Sequence, residues 1–422
     1  MTARVVLAGG RPTVAVDDPV SLRIIGVQAA SSVAVQATAR CGGEVWTSQA
    51  RFTAGPDGLI DSARTAPTAG TYEGVDGEGL WWSMEPDDPD GWRRLPGRTL
   101  DALDVTVSVI TEDGSTSSAE LRRVVLGPDV DRVEVSDGGL IGTYFRPCGG
   151  GPWPGVVVLG GSEGGLVESF AAALSRHGFA TLVLAYFAAP GLPHRLCRIP
   201  VEYVQQAIAW MARRPEADAS RIAIAGASKG GELALLTAVH EPSLRAVVAV
   251  VPSGVAFMGI GPSPLTVRRS SWTKNGVPVP FAPFRFTRRT VGHFLSRGPL
   301  RFRVIYEEAL RPPGVASRAA IPVERIAAPV LLVSAGDDQI WPSAELAHQV
   351  EERLESAGRT VRHLCFPAAG HAIGLPRLPA VTSIPRAFAG RTLLLGGTRA
   401  ANASAATTAW QEAVAFLQET LQ

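Results

Sequence analysis

The chain has 422 residues and a net charge of +1, with 46% hydrophobic and 19% charged residues. A chain of this length is too long for a single hydrophobic core, which suggests two domains. The composition excludes a long disordered tail. The basic residues form no dense run, so we expect no nucleic-acid partner. Only Lys229 and Lys274 are lysines, and the abundance of arginine indicates a GC-rich, bacterial genome.

Signals for export, membrane insertion and metal binding are missing from the sequence. The apolar stretch at residues 5–8 is too short for a signal peptide, and no run approaches the ~18 apolar residues of a membrane span. The four cysteines are scattered without a CxxC motif, which argues against a zinc site or a disulfide framework. We therefore expect a cytoplasmic protein that uses no metal and no cofactor and does not bind membranes.

Short strand-like runs alternate with turn signals in the first 127 residues, without any long helical pattern. Runs at residues 19–26, 32–38, 44–54 and 103–110 are predicted strands. In the last run Val105, Val107 and Val109 alternate with polar residues, the period of a half-buried antiparallel strand. We predict an immunoglobulin-like β-sandwich domain over residues 1–127.

From residue 128 onward, strands and helices alternate. A strand pair near residues 133–144 precedes 155–159, a continuous apolar run typical of a buried parallel strand. Further strands are predicted at 180–186, 221–225, 246–251, 330–334 and 361–366, and helices at 170–177, 201–213, 232–239 and 343–357. This alternation predicts a mostly parallel sheet with helices on both faces, in a second domain over residues 128–422.

A Pro-, Arg- and Phe-rich segment at residues 252–322 interrupts this alternation. Structureless segments longer than about 15 residues are uncommon in compact domains unless they are functional. We therefore expect this insertion to cover the active site.

The pentapeptide Gly226-Ala-Ser-Lys-Gly230 lies between predicted strand 221–225 and predicted helix 232–239. In α/β-hydrolases a serine in this GxSxG context occupies a sharp strand-to-helix turn, and small flanking residues avoid a clash. The hydroxyl is then held at a helix N-terminus, which favours developing negative charge. We predict an α/β-hydrolase domain with Ser228 as the nucleophile, rather than an inert serine in a tight turn.

A serine nucleophile needs a general base, and in this fold the base is a histidine that follows the carboxylate along the chain. His371 lies in a loop directly after predicted strand 361–366, at the carboxyl end of the sheet. Three other histidines lie well beyond predicted helix 232–239. His293 lies in the insertion, His348 in a predicted helix and His363 in a predicted strand. His371 is therefore the predicted base.

The base must be oriented by a carboxylate. Strand 330–334 is followed by Asp337 and Asp338, and either side chain leaves the sheet at the right edge. The spacing from Asp338 to Pro342 suits a carboxylate that turns inward before the next helix, so we favour Asp338. For Asp337 we expect a solvated turn or a helix cap.

A tetrahedral intermediate needs two hydrogen-bond donors, which together form an oxyanion hole. One is expected from the N–H of Lys229, the residue after the nucleophile. The second is expected from the glycine-rich loop at residues 160–165, from Ser162 or Glu163. This loop fits neither the P-loop nor the dinucleotide-binding pattern.

These residues resemble a known family, the acyl-CoA thioesterases and bile acid-CoA:amino acid N-acyltransferases. The resemblance covers nearly the whole chain and combines many motifs. In the N-terminal domain the motifs are DDPV at residues 17–20, AP at 66–67 and GTYEGVDGEGLWWSM at 70–84. In the second domain they are PGVVVLGGSEGG at 154–165, LP at 192–193, IPVEY at 199–203, ASKGG at 227–231, AGH at 369–371, GGT at 396–398 and AW at 409–410.

The resemblance implies an immunoglobulin-like domain fused to an α/β-hydrolase, with a triad of Ser228, Asp338 and His371. It also implies acyl transfer from a thioester through an acyl-enzyme, with water or an amine as acceptor. Conjugating members of the family carry cysteine as the nucleophile and thioesterase members carry serine, so Ser228 favours an acyl-CoA thioesterase. The bacterial composition argues against bile acids as the acyl group.

Other functions and roles stay open at this point. An acyltransferase that uses an amine or alcohol acceptor, and a carboxylesterase, would need the same triad. The thiol carrier is either CoA or a carrier protein. Five arginines of the insertion either hold CoA phosphates or form a solvated surface: Arg268, Arg269, Arg285, Arg288 and Arg289. Trp81 and Trp82 are expected to pack the sandwich or the domain interface rather than bind ligand.

Overall fold

The computed structural model describes residues 3–7, 11–261, 268–388 and 390–422, without the side chain of Arg93. The apolar stretch at residues 5–8 and the insertion at 252–322 therefore lie partly outside the described residues. Across the described parts of the chain, no helix is both long enough and apolar enough to cross a membrane.

Two sheets and one short α-helix form the N-terminal region, and the strands pair antiparallel except for β2 and β10, which pair parallel. The smaller sheet has the order β1-β3-β6, and the larger has the order β2-β10-β9-β4-β5-β7, with β8 also paired to β5. Inward-facing residues of both sheets, such as Ile24 and Val107, share one hydrophobic core, which confirms the predicted β-sandwich. The elements are β1 (Arg4–Leu7), β2 (Thr13–Ala15), β3 (Leu22–Ile25), β4 (Ser32–Cys41), β5 (Glu44–Thr53), β6 (Ile60–Asp61), β7 (Ala69–Gly70), α1 (Gly79–Trp82), β8 (Glu85–Pro86), β9 (Leu103–Thr111) and β10 (Thr116–Val124).

The two tryptophans of α1 are buried in this region. The Trp81 indole N–H donates to the carbonyl of Val20 at 2.7 Å, and that of Trp82 donates to Asp76 at 2.8 Å. The carbonyl of Trp82 accepts a hydrogen bond from the N–H of Ala380, a residue of the second domain. The predicted packing role of both tryptophans is therefore confirmed.

An eight-stranded sheet with the order β11-β12-β14-β13-β16-β17-β20-β21 forms the centre of the second domain. Its first three strands pair antiparallel and all later neighbours pair parallel, which confirms the α/β-hydrolase architecture. Helices α2, α3, α4, α8 and α9 pack on this sheet. The elements are β11 (Val130–Val135), β12 (Ile141–Pro147), β13 (Trp153–Leu159), α2 (Ser169–Ser175), β14 (Ala180–Ala185), β15 (Ile199–Pro200), α3 (Val201–Ala212), β16 (Ala217–Ala227), α4 (Lys229–His240), β17 (Ala246–Val250), β18 (Trp272–Lys274), β19 (Val277–Pro278), α5 (Arg288–Leu295), α6 (Arg303–Leu310), α7 (Val315–Arg318), β20 (Val330–Ala335), α8 (Ser343–Ser356), β21 (Val361–Phe366), β22 (Ser383–Phe388), β23 (Arg391–Leu394) and α9 (Arg399–Thr420).

The predicted insertion is a folded unit rather than an open loop. It contributes β18, β19, α5, α6 and α7, and β18 pairs with β15 in a small separate sheet. A hydrophobic cluster of its own, which includes Phe257 and Tyr306, is closed by Trp341 from the loop after β20. The insertion is thereby fixed to the carboxyl edge of the main sheet.

Two elements near the end of the chain were not predicted from the sequence. The β22–β23 hairpin is short and half-exposed, so it lacks a clear apolar alternation. Helix α9 is rich in alanine and small polar residues, and its apolar positions form no clean stripe. Its start is nevertheless capped by Thr398, whose side chain accepts from the N–H of Ala401 at 3.1 Å.

Buried arginines join the two domains. The guanidinium of Arg123 donates to the carbonyls of Val16 at 2.6 Å and Arg377 at 2.7 Å. That of Arg377 donates in turn to the carbonyl of Asp17 at 2.7 Å and pairs with Glu78. Because these carbonyls would otherwise be buried without partners, the network favours one fixed arrangement of the two domains.

Candidate active site

Strand β16 leads directly into helix α4, and Ser228 lies at the turn between them. Its backbone has φ 54° and ψ −120°, a conformation that a non-glycine residue rarely adopts. Such a residue costs about 1–3 kcal/mol and persists only where its surroundings hold it. Here the N–H of Ser228 donates to the carbonyl of Val250 at 2.8 Å, and its carbonyl accepts from the N–H of Glu232 at 3.0 Å.

The two flanking glycines permit this turn because their neighbours leave no room for a side chain. A Cβ at Gly226 would lie 2.2 Å from the carbonyl oxygen of Gly230. A Cβ at Gly230 would lie 2.3 Å from the oxygen of Gly160 and 2.4 Å from that of Leu159. The strained turn predicted from the pentapeptide is therefore present.

A chain of hydrogen bonds connects Ser228, His371 and Asp338. The Oγ of Ser228 lies 2.9 Å from Nε2 of His371, and Nδ1 of His371 lies 2.8 Å from Oδ2 of Asp338. Because a carboxylate can only accept, Nδ1 carries the proton and Nε2 is free to accept from the serine. Asp338 is fully buried, and its second oxygen accepts from the N–H groups of Ile340 at 2.8 Å and Trp341 at 3.2 Å.

The neighbouring aspartate has a different position. Asp337 is exposed and accepts from the N–H of Gly397 at 2.8 Å and the side chain of Gln339 at 2.6 Å. It thus links the loop after β20 to the chain before α9. The structure brings Asp338 and not Asp337 to His371.

The loop that carries His371 is held from several sides. The N–H of His371 donates to the carbonyl of Leu395 at 2.8 Å, and the N–H of Gly370 donates to the side chain of Asn402 at 2.8 Å. The indole of Trp341 packs edge-on against the imidazole, with ring centres 6.0 Å apart. These contacts limit the positions that the imidazole can take.

The glycine-rich loop after β13 lies against the nucleophile. A Cβ at Gly161 would lie 3.3 Å from that of Ser228, and Ser162 and Glu163 line the pocket beside it. The hydroxyl of Tyr186 donates to the carbonyls of Gly160 at 2.6 Å and Gly161 at 3.1 Å. Tyr186 was not singled out in the sequence, although it directly follows strand β14 at the same edge of the sheet.

A pocket of about 650 Å³ opens beside Ser228 and His371. The insertion contributes Ile260, Phe302 and Tyr306 to its wall, which supports the expected role of this segment only in part. Most of the wall comes from two segments that the sequence did not single out, residues 95–98 of the N-terminal domain and residues 372–395 after the histidine. The lining is mainly aliphatic, with Leu95, Ile373, Leu375, Leu378, Val381, Ile384, Leu393 and Leu395 among its members.

Exposed arginines cluster beside one edge of this pocket. Burial raises the pKa of Cys197, against the charges of the nearby Arg269, Arg198 and Arg195, which act to lower it. The neighbouring Leu196 forms a β-bridge with the pocket residue Ile260. Within the described part of the chain, no carboxylate lies within 4.0 Å of the nitrogens of these three arginines.

The five arginines singled out in the insertion have different environments. Arg289 pairs with Glu307 at 3.0 Å and Glu308 at 3.4 Å. Arg269 belongs to the cluster around Cys197. The remaining three are exposed: Arg268, Arg285 and Arg288.

Other histidines lie away from the pocket. In the described residues, one group could hold a metal ion, formed by His348, Glu351 and His363 with ligand atoms within 4.8 Å of one another. Both histidines lie within hydrogen-bond distance of Glu351, at 3.2 and 2.7 Å. His293 lies in α5 and accepts from the N–H of Arg301 at 2.9 Å. Cys41, Cys148, Cys197 and Cys365 are free thiols.

Several known proteins are similar over almost the whole chain. Acyl-coenzyme A thioesterase 1 of Mus musculus is 31% identical over 412 residues, covering 96% of this chain and 94% of that protein. The mitochondrial acyl-coenzyme A thioesterase 2 of the same species is also 31% identical, with coverages of 96% and 87%. The peroxisomal succinyl-coenzyme A thioesterase of Mus musculus is 29% identical, with coverages of 95% of this chain and 93% of that protein.

Among solved structures, the thermostable carboxylesterase EstE1 from a metagenomic library is similar over 70% of this chain and 90% of its own. The identity is 18% and the TM-score 0.42. Two family models match the sequence, the "Acyl-CoA thioester hydrolase/BAAT N-terminal region" at residues 17–137 and the "BAAT / Acyl-CoA thioester hydrolase C terminal" at residues 199–422. The chain belongs to the family of acyl-CoA thioester hydrolases and bile acid-CoA:amino acid N-acyltransferases.

Proposed function

We propose that this protein is a serine thioesterase that hydrolyses acyl-CoA through an acyl-enzyme. The observation that carries the proposal is the hydrogen-bonded chain from Ser228 through His371 to Asp338, located beside an apolar pocket. The relatives named above are acyl-CoA thioesterases, which supports a thioester as the bond that is attacked.

In the proposed mechanism His371 moves the proton and Ser228 carries the acyl group. Nε2 of His371 takes the proton of Ser228 as the serine oxygen attacks the thioester carbonyl carbon. The tetrahedral intermediate collapses with loss of the thiol, which receives that proton from the imidazolium. A water molecule, deprotonated by the same imidazole, then attacks the acyl-serine ester, and the imidazolium returns that proton to the Oγ of Ser228 as the carboxylic acid is released. Asp338 holds the imidazole in the required tautomer and stabilises the imidazolium.

We assign the oxyanion hole to the N–H groups of Lys229 and Ser162. Lys229 is the first residue of α4, where an N–H has no acceptor inside the helix. For the second donor, Tyr186 binds the carbonyl of Gly161. In a trans peptide the next N–H points opposite to that carbonyl, so the N–H of Ser162 is directed away from Tyr186. This orientation favours Ser162 over Glu163.

The pocket and its surroundings support an apolar acyl group on an anionic carrier. The aliphatic wall, which includes Leu375, Leu378 and Leu393, stabilises a hydrocarbon chain by excluding water. The arginine cluster around Cys197 provides charge for phosphate groups at one edge of the pocket. A CoA thioester combines both features in one molecule.

The test is a panel of saturated acyl-CoA thioesters, incubated with and without an amine acceptor such as glycine. Free CoA, free acid and any amide are quantified by chromatography, because the exposed thiols of Cys148 and Cys365 would consume a thiol reagent. We expect CoA and free acid in equal amounts without the amine, and a loss of at least ~10⁴-fold in kcat for Ser228→Ala. Turnover that requires the amine would instead identify an acyltransferase. Unchanged turnover by Ser228→Ala would refute the proposed nucleophile.

A further inference from the structure

The side chain of Lys229 is buried behind the nucleophile. Only 1% of it is exposed, and its partner Glu232 is fully buried one helical turn further on. The ammonium donates to both oxygens of Glu232, at 3.0 and 2.8 Å, and to the hydroxyl of Ser271 at 3.0 Å. Three aromatic rings surround it with centres 5.5 to 6.0 Å from the nitrogen, those of Phe257, Trp272 and Trp341.

Glu232 connects the same helix to the insertion. One of its oxygens accepts from the indole N–H of Trp272 at 2.6 Å and from the backbone N–H of Phe257 at 3.2 Å. Ser271 completes the group by donating to the carbonyl of Phe257 at 2.9 Å. Each polar side-chain atom of Lys229, Glu232, Ser271 and Trp272 therefore has a partner, and the partners come from α4 and from the insertion.

Two aromatic residues of this group extend it to the remaining parts of the proposed site. The Trp341 ring packs on His371, and the backbone N–H of Trp341 donates to Asp338. The Trp272 ring lies 6.0 Å from that of Tyr186, which holds the glycine-rich loop through two carbonyls. The nucleophile, the base and the carboxylate thus each lie one or two contacts from Lys229, and the oxyanion loop lies three contacts from it, through Trp272 and Tyr186.

Stability alone does not account for an ion pair at this position. Burial lowers the pKa of Lys229 and raises that of Glu232, so burial opposes the charge of each group. Apolar residues of similar volume in place of a buried ion pair often leave a protein equally or more stable. An ion pair whose groups also donate and accept directional hydrogen bonds differs from apolar packing in one respect. It holds the side chain of Lys229 in a single orientation.

We propose that the Lys229–Glu232 ion pair is a positioning element of the active site. By anchoring the side chain of Lys229, the pair fixes the backbone N–H of the same residue and the strained turn at Ser228. Through Trp341 it also fixes the ring of His371. This inference rests on the proposed function only in taking Ser228 as the nucleophile.

The test is the double variant Lys229→Met/Glu232→Gln, which removes both charges and keeps an acceptor for Trp272. The second-order rate constant for labelling of Ser228 by a fluorophosphonate is measured together with the thermal unfolding temperature. We expect an unfolding temperature close to that of the wild type, and labelling slowed by ~100-fold because a small displacement of the reacting groups has an effect of that size. For an acyl thioester we expect the loss to fall in kcat while KM changes little.

The control is Lys274→Met, which removes the other lysine of the chain from its ion pair between the insertion and Glu202 of α3. It should label at the wild-type rate. A double variant that folds and labels as fast as the wild type would overturn the proposal. If the double variant does not fold, Lys229→Met alone decides, because it breaks the ion pair while Glu232 keeps the N–H groups of Trp272 and Phe257 as donors. Slower labelling of Lys229→Met supports the positioning role and an unchanged rate refutes it. A wild type that is not labelled at all would refute the proposed nucleophile, and this inference with it.

Discussion

Ser228 illustrates how a reactive side chain is held in an unfavourable backbone conformation. Its positive φ is maintained by two backbone hydrogen bonds and by the close approach of Gly226 to Gly230. The conformation is therefore held by contacts with β16, β17 and α4, whose residues next to the turn are mostly buried. A serine held in this way needs little reorganisation before attack, which is the property that a preorganised site requires.

The adjacent aspartates allow a matched comparison at the residue scale. Asp338→Asn should reduce kcat by ~10⁴-fold, because an amide at this position favours the wrong tautomer of His371. Asp337→Asn should change kcat by less than ~10-fold, since the asparagine oxygen can still accept from Gly397. Steady-state kinetics of both variants with one acyl-CoA make the comparison. Equal losses in the two variants would contradict the proposed role of Asp338.

Some residues of the proposed site could be predicted from the sequence, and others could not, for a physical reason. In a parallel sheet the carboxyl ends of the strands meet at one edge, so Ser228, Asp338 and His371 could be assigned from their places after predicted strands. Tyr186 follows a strand in the same way, but its role is to hold carbonyls and no sequence motif marks that role. Trp341 acts through packing on His371, which depends on a fold that is already assembled.

At the scale of elements, the segment between β14 and β15 and the chain before β18 bring arginines to one edge of the pocket. We expect Arg198→Ala/Arg269→Ala to raise KM for acyl-CoA by ~10-fold, because two exposed charge contacts to phosphate of up to about 1 kcal/mol each add to an effect of that order. KM for the same acyl group on pantetheine, which lacks the nucleotide phosphates, should stay the same. Steady-state kinetics with both substrates at low and high salt measure the difference, which salt should reduce.

A charge-matched control for this experiment lies in the N-terminal domain. Arg40 and Arg64 are exposed there and do not line the pocket, so Arg40→Ala/Arg64→Ala removes the same charge outside the site. It should leave both KM values unchanged. Equal effects of the two double variants would show that net charge, and not the cluster around Cys197, governs binding.

The elements of the pocket wall were harder to predict than those of the sheet. The strands of the sheet are long apolar runs, and the helices between them show regular apolar spacing. The β22–β23 hairpin and helix α9 have neither pattern, because the hairpin is half-exposed and α9 packs through small residues. The insertion was recognised by its length and composition, whereas its fold depends on buried contacts such as those of Trp272.

At the scale of the whole molecule, the pocket is built by both domains. Gly97 of the N-terminal domain lies against Leu378, and both residues line the pocket. Next to Leu378, Arg377 donates to the carbonyl of Asp17 and so ties this wall to the sandwich. The N-terminal domain is therefore part of the proposed binding site and not only an appendage to it.

The carboxylate of Asp17 makes the domain interface sensitive to pH. Burial alone would raise the pKa of Asp17, but the hydrogen bond with His177 and the charge of Arg176 outweigh burial and lower it below its ordinary value of 3.8. A carboxyl whose pKa is lowered in the folded state stabilises the fold above its unfolded pKa. It loses this contribution as the pH falls through the folded value.

Asp17→Asn should therefore lower the free energy of unfolding by about 2 kcal/mol at pH 7, the size expected for hydrogen bonds to a charged group. The difference from the wild type should shrink as the pH falls below about 4. Denaturant unfolding at pH 7 and at lower pH measures both quantities. The neighbouring Asp18 is about half-exposed, so Asp18→Asn should cost less than ~0.5 kcal/mol and serves as the control. A difference for Asp17→Asn that is independent of pH would contradict this account.

The walls of the pocket come from residues 95–98, 372–395 and 402–406, which are made at very different times during translation. Domains fold from the N-terminus as they leave the ribosome, so the sandwich and the nucleophile turn precede the histidine loop. Asn402, which holds that loop through Gly370, is synthesised later still. A nascent chain therefore carries Ser228 without its base or an enclosed pocket while the 143 residues from 229 to 371 are added, and the proposed catalytic machinery comes together only once the segment after His371 is also free to fold.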